Sequence, residues 1–180
     1  MPQISELLTK HFRLAPVSPD MVSDNWVRWA RDPVLMAQLN ARAMQPTRAD
    51  IQRYVVASWK SQRMLIGIYA RANSQHIGIY EAAIDARHGN VKLDMLVDPQ
   101  SYVLSRVLPE TDPALLRFFA EEHRVEKAIA EVIETHTPLI KHLETTGWRK
   151  EGVLRQEYAA VNGSRRLDAV QFGRLLAAEK

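Results

Sequence analysis

The chain has no cysteine, which excludes disulfides, thiolate nucleophiles and cysteine-based zinc sites. It has no apolar run approaching the ~20 residues that span a bilayer. Its opening stretch, MPQISELLTKHFRL, lacks the apolar core of a secretory signal. A cytoplasmic protein with no membrane partner is expected. Concentrated charge is missing too. The 24 Lys and Arg are scattered singly or in pairs against 21 Asp and Glu, and the four tryptophans are not interleaved with them. That argues against nucleic acid as a partner. Glycine is the most informative scarcity. The seven glycines lie at 67, 78, 89, 147, 152, 163 and 173, so residues 90–146 contain none.

A length of 180 residues with 46% hydrophobic and 25% charged side chains suits one globular domain, residues 1–180. No internal repeat, low-complexity tract or linker divides it. His11 to Leu14 reads as a first strand. Ser18 or Asp20 then caps a helix carrying Met21, Val22, Trp26 and Trp29 at helical spacing. Residues 33–44 give no clear period. Thr47 heads a second helix, with Asp50 three residues on as a weaker version of the capping box and Ile51, Val55 and Trp59 on one face.

The period then shortens. Residues 64–70, 75–84 and 90–97 read as three antiparallel strands separated by turn residues. In the third, Val91, Leu93, Met95 and Val97 face one way and Lys92, Asp94 and Asp98 the other. Asp112-Pro113 reads as a helix start, followed by Leu115, Leu116 and Phe119 as the apolar face. Residues 125–133 read as a strand. Thr137-Pro138 starts a short helix that ends at a left-handed Gly147. Residues 153–161 and 166–175 form a hairpin turning at Asn162-Gly163. The expected fold is α/β (α+β): a mixed, mostly antiparallel sheet of about seven strands with about four helices.

The stretch ETHTPLIKHLETTGWRKEGVLRQ resembles the C-terminal part of the GNAT (GCN5-related) N-acetyltransferases, most of all the branch that acetylates protein N-termini and small amines. The matching residues are His136-Thr137-Pro138-Leu139, the helix through Glu144, Gly147-Trp148 and Glu151-Gly152. NGSRRLDAVQFGRLL resembles the closing hairpin, including Asp168. IGIYEAAID and GNVKLDMLVDP resemble the two strands that lead to the cofactor loop.

The resemblance implies an N-acetyltransferase that moves acetyl from acetyl-CoA to a primary amine, on a small molecule or a peptide N-terminus. Acetyl-CoA would lie where the fourth and fifth strands splay apart, with its pantetheine arm beside Leu96 and Val97. The pyrophosphate would meet the start of the next helix, where free amides and the helix dipole attract anions. In this family that loop carries glycines. Here residues 105–112 have none; Pro109 and Pro113 each remove an amide donor, and Glu110 and Asp112 bring two carboxylates to the expected phosphate position. Arg106 is the local cation, either a phosphate ligand or a solvated residue.

The residues at the family's usual acid positions, Leu143 and Leu139, have no proton to give. Glu81 and Asp94 are candidate bases on the central strands, or else the polar face of alternating strands. Tyr158 is placed to reach the cleft from the hairpin, or to pack within it. His136 stands where the family's asparagine orders the cofactor side. His136 and His142 fall on different faces of a short helix and form no metal pair, so no metal is expected. The degenerate loop admits a second reading, a GNAT-like binding or interaction module without catalysis. The exposed hairpin offers an edge for a homodimer.

Overall fold

The computed structural model describes residues 6–176. Among them, eight strands form one sheet and five helices cover it. β1 (Leu7–Leu8) and β2 (Phe12–Pro16) lead into α1 (Asp24–Arg31), α2 (Pro33–Gln38) and α3 (Arg48–Lys60). The meander is β3 (Arg63–Ala70), β4 (His76–Asp85) and β5 (Asn90–Val97). α4 (Leu104–His123) crosses to β6 (Lys127–Ile133), and α5 (Thr137–Thr145) precedes β7 (Arg149–Ala159) and β8 (Arg166–Leu175). The strand order is β1-β2-β3-β4-β5-β6-β8-β7, and β5–β6 is its one parallel pair. A parallel pair cannot be closed by a hairpin, and α4 is the crossover it requires.

The mixed sheet and the meander match the expectation from sequence. β1 and α2 are additional elements, too short at two and six residues to show a period. The capping box is present: Thr47 Oγ1 accepts from the Asp50 amide at 3.2 Å, and Asp50 accepts from the Thr47 amide at 2.7 Å. α1, by contrast, is capped by Ser23, not by Ser18 or Asp20, because a 3-10 turn at Pro19–Met21 comes first. The hairpin uses a six-residue connection around Asn162-Gly163 rather than a two-residue turn, closed by the Ala160 amide on the Arg165 carbonyl.

The largest correction concerns α4, which begins at Leu104, eight residues before Asp112. Val107, Leu108, Thr111, Asp112, Leu115, Leu116, Phe118 and Phe119 form one continuous buried stripe. Burying Val107 and Leu108 contributes about 1.5–3 kcal/mol each. That offsets an internal proline, which costs ~3 kcal/mol. Pro109 and Pro113 also lie four apart on the exposed face, where solvent reaches the carbonyls they leave unbonded. Asp-Pro looks like a cap in sequence, but here it sits inside a helix.

The sheet is covered on both faces. α4 and α5 pack on Phe12, Ile66, Ile68, Tyr80, Val91, Leu93, Met95 and Val97. On the other face Val27, Ile51 and Val55 meet Leu65, while Trp29 and Leu35 meet Leu96. β5 therefore alternates as expected, which sends Asp94 and Leu96 toward α1–α3 and Val97 toward α4. β7 forms the outer edge and buries none of its residues.

Candidate functional site

β5 and β6 pair over only three residues, Asn90–Lys92 with Lys127–Ile129. Beyond them the strands part, and the edge of residues 93–97 has no strand partner on that side. On the α4 face the gap opens into a cavity of about 660 Å³, lined by Val97, Val103, Leu104, Ser105, His136 and Lys141 among others. On the opposite face lies a cavity of about 350 Å³ that includes Arg63, Glu81, Asp94, Glu131, Tyr158 and His136. His136 and Gln38 line both, so the opening passes through the sheet.

The first turn of α4 faces the larger cavity. Val103 occupies the cap position with no side-chain acceptor for the amides that follow. The Arg106 amide turns back to the Val103 carbonyl at 3.0 Å, leaving Leu104 and Ser105 as open donors. Neither carboxylate expected at this loop is near it. Glu110 accepts from Thr9 Oγ1 at 2.5 Å and from the His11 amide at 2.6 Å, which ties α4 to the turn between β1 and β2. Asp112 is buried, accepting from Tyr80 Oη and paired with His142 Nε2 at 2.8 Å. Tyr80 Oη also meets Thr111 Oγ1 at 2.7 Å, making a closed polar network beneath α4. Arg106 is exposed and does not line the cavity. The cation that does is Lys141, which the sequence did not single out.

His136 is buried, and its Nδ1 has no hydrogen-bond partner among the described residues. Burial lowers its pKa and keeps the ring neutral at pH 7. His136 lines both cavities, and its buried ring nitrogen is a donor or acceptor left without a partner there.

Three carboxylates gather on the other face. Glu81 and Asp94 are direct cross-strand partners in the β4–β5 register, and Glu131 joins them from β6. Glu81 is occupied: Arg63 Nη1 donates to it at 2.6 Å, and Tyr54 Oη donates as well. Glu131 takes Lys92 Nζ at 3.2 Å and the Tyr158 hydroxyl. Burial, then the neighbouring carboxylate, raises the pKa of both phenols, so each keeps its proton. Asp94 has no hydrogen bond or ion pair among the described residues. Its pKa is raised, first by desolvation and then by Glu81 and Glu131, although Lys92 and Arg63 oppose the rise.

Of the residues named from sequence, the structure gathers Glu81, Asp94, Tyr158 and His136 around one cavity. Leu96 and Val97 lie on the adjoining strand edge, and Arg106 lies apart. Glu131 and Tyr54 were not singled out. Glu131 carries a weak signal, as the polar member of the alternating run AIAEVI, while Tyr54 becomes visible only once α3 is laid across β4. A further cleft of about 390 Å³ adjoins this one, sharing Leu39, Glu81, Asp94 and Met95 and walled by Trp26, Trp29 and Met44.

Among the described residues there is no cluster of metal-ligating side chains, and no helix is long and apolar enough to cross a membrane. No protein-family model and no curated protein matches the chain. Solved structures match it over nearly its whole length. A GNAT-family acetyltransferase from Bacillus anthracis superposes with a TM-score of 0.78 at 14% identity, over 95% of this chain and 98% of that one. Spermidine N-acetyltransferase from Vibrio cholerae gives 0.78 at 13%, over 92% and 95%. RimL, a ribosomal L7/L12 alpha-N-protein acetyltransferase, gives 0.80 at 11%, over 96% and 94%. At these identities the likeness is one of architecture: the chain has the fold of the GNAT acetyltransferases.

Proposed function

We propose that this protein is an N-acetyltransferase that binds acetyl-CoA in the gap between β5 and β6 and acetylates a primary amine. The observation that carries the reading is the gap itself, open through the sheet with an unpartnered strand edge, an orphan His136 nitrogen and an unpartnered Asp94 around it. The Vibrio cholerae neighbour was solved in complex with CoA and spermine, which supports CoA as the occupant.

The residues present fit such a ligand. Residues 93–97, including Leu96 and Val97, offer backbone groups to an amide-bearing arm, and His136 Nδ1 offers a further hydrogen bond. The open amides at Leu104 and Ser105, with Lys141 across the cavity, suit its phosphates. Glycine is dispensable for this, because the α4 first turn presents its donors from ordinary backbone angles (Val103 φ −81°, ψ 136°). Arg106 adds charge from outside. When bound, acetyl-CoA would supply an acetyl group activated as a thioester, the carbon–sulfur bond breaking as the amine bonds to the carbonyl carbon and CoA leaving as its thiolate.

The remaining chemistry belongs to the carboxylates. An amine arrives largely as ammonium, and only its free base attacks. Asp94, desolvated and without a partner, takes that proton. Glu81 is held by Arg63 and Tyr54 and fixes the electrostatic setting beside it. Tyr158 commits its proton to Glu131 and holds that side of the cleft.

The test is acetylation of a panel of primary amines by the purified protein with acetyl-CoA, read by mass spectrometry, alongside Asp94→Asn. Acetylated product with the parent and its loss with Asp94→Asn is the expected outcome. No product with any amine, despite bound acetyl-CoA, would favour the binding-module reading.

A further inference from the structure

The acetyltransferase reading leaves the acceptor open, and the second cleft on the carboxylate face narrows it. We infer that the acceptor is a primary amine with a single positive charge, carried on a compact apolar body about the size of an aromatic ring with a short alkyl arm. The inference rests on the acetyltransferase reading and names the acceptor of that site.

The cleft of about 390 Å³ is walled by Trp26, Trp29, Met36, Leu39, Met44 and Ile79. Tyr54 stands edge-on to Trp26, with ring centroids 6.4 Å apart. Leu39 and Met44 line the cleft yet stay 40% and 64% exposed. Apolar side chains left open around a concavity are covered when an apolar ligand enters it. The volume accommodates an aromatic ring with a short arm, and the lining rather than the size selects what enters.

Charge enters the cleft at four lining residues: Arg42, Asp50, Glu81 and Asp94. Asp50 is used by the α3 cap and by Arg53. Glu81 is used by Arg63 and Tyr54. Asp94 alone is left to meet a cation, and it stands where this cleft joins the strand gap. One ammonium is thus received at the reacting end, with the apolar body held behind it. A polyamine has a second ammonium, for which the cleft holds no second uncommitted carboxylate and sets Arg42 at hand.

The same chemistry comes from a free arylalkylamine or from a peptide whose first residue is large and apolar. Both belong in the test. Tryptophan fluorescence of the protein without acetyl-CoA is titrated with 2-phenylethylamine, with a short Phe-initiated peptide amide and with spermidine. The same three amines are then offered with acetyl-CoA and the products weighed. One or both apolar amines should bind about 10- to 100-fold tighter than spermidine, and the tighter of the two identifies the source. Met44→Lys, at an exposed position that folding does not require, should weaken that binding about tenfold by removing wall and adding like charge.

Spermidine binding as tightly as the apolar amines, or Met44→Lys leaving their binding unchanged, would overturn the inference. Spermidine alone being acetylated would also overturn it while leaving the acetyltransferase reading standing. Apolar amines that bind but are never acetylated would uphold the ligand class and sink the acetyltransferase reading.

Discussion

Glu110 belongs, by its position in sequence, to a cofactor loop; in the structure it is a clasp. It accepts from Thr9 Oγ1, from the His11 amide and from His11 Nδ1 at 2.5, 2.6 and 2.8 Å, joining α4 to the turn before β2. Burial alone would raise its pKa, but the hydrogen bonds from Thr9 and His11 outweigh it and hold the carboxyl at about 2, against an ordinary 4.5. That difference corresponds to about 3 kcal/mol in favour of the ionised form. Its side chain is 25% exposed, and solvent screening reduces the contribution to about 1–2 kcal/mol. Because the folded-state pKa is depressed, the contribution is whole above pH 4.5 and is lost as pH falls through 2. Glu110→Gln should therefore unfold at lower urea concentration at pH 7, by about 1–2 kcal/mol, with the deficit shrinking between pH 4.5 and 2. Acetyl-CoA affinity should be unchanged, since the side chain points away from the α4 first turn. Equal stability at pH 7, a deficit independent of pH, or tighter cofactor binding would refute the clasp.

Three further outcomes are expected. Asp94→Asn should lower kcat/KM by about 10²- to 10⁴-fold. In the parent, activity should fall as pH drops through the raised pKa of Asp94, and the variant should lack that limb; a shared pH profile would remove Asp94 from the base role. His136→Ala should raise the calorimetric Kd for CoA about 2- to 12-fold, the value of one hydrogen bond of ~0.5–1.5 kcal/mol, and an unchanged Kd would leave Nδ1 without a ligand. Tyr80→Phe strips a donor from buried Asp112 and should cost about 1–3 kcal/mol in urea unfolding; a loss within experimental error would mean that His142 alone satisfies the carboxylate.

The meander, the Thr47 capping box and the left-handed Gly147 were legible because each is a local rule with a local partner. The start of α4 was not. Two prolines and an aspartate mimic a cap, and only the packing of Val107 and Leu108 under the sheet decides for helix. The site divides the same way. Glu81 and Asp94 could be placed on the central strands from alternation, but that they stand directly opposite each other is set by the β4–β5 register. Which of them is free was not legible either, because that depends on Tyr54 and Arg63 arriving from α3 and β3. The loop looked hostile to phosphate for a similar reason. Glu110 and Asp112 spend their charge on Thr9, His11, Tyr80 and His142, all distant in sequence.

The central claim is that the β5–β6 gap and the first turn of α4 form the acetyl-CoA site. Hydrogen–deuterium exchange with and without CoA tests it at the backbone itself. Amides within residues 93–97 and 103–106 should slow on adding CoA, while those of β7 exchange as before. Protection confined to other segments, or none at saturating CoA, would contradict it.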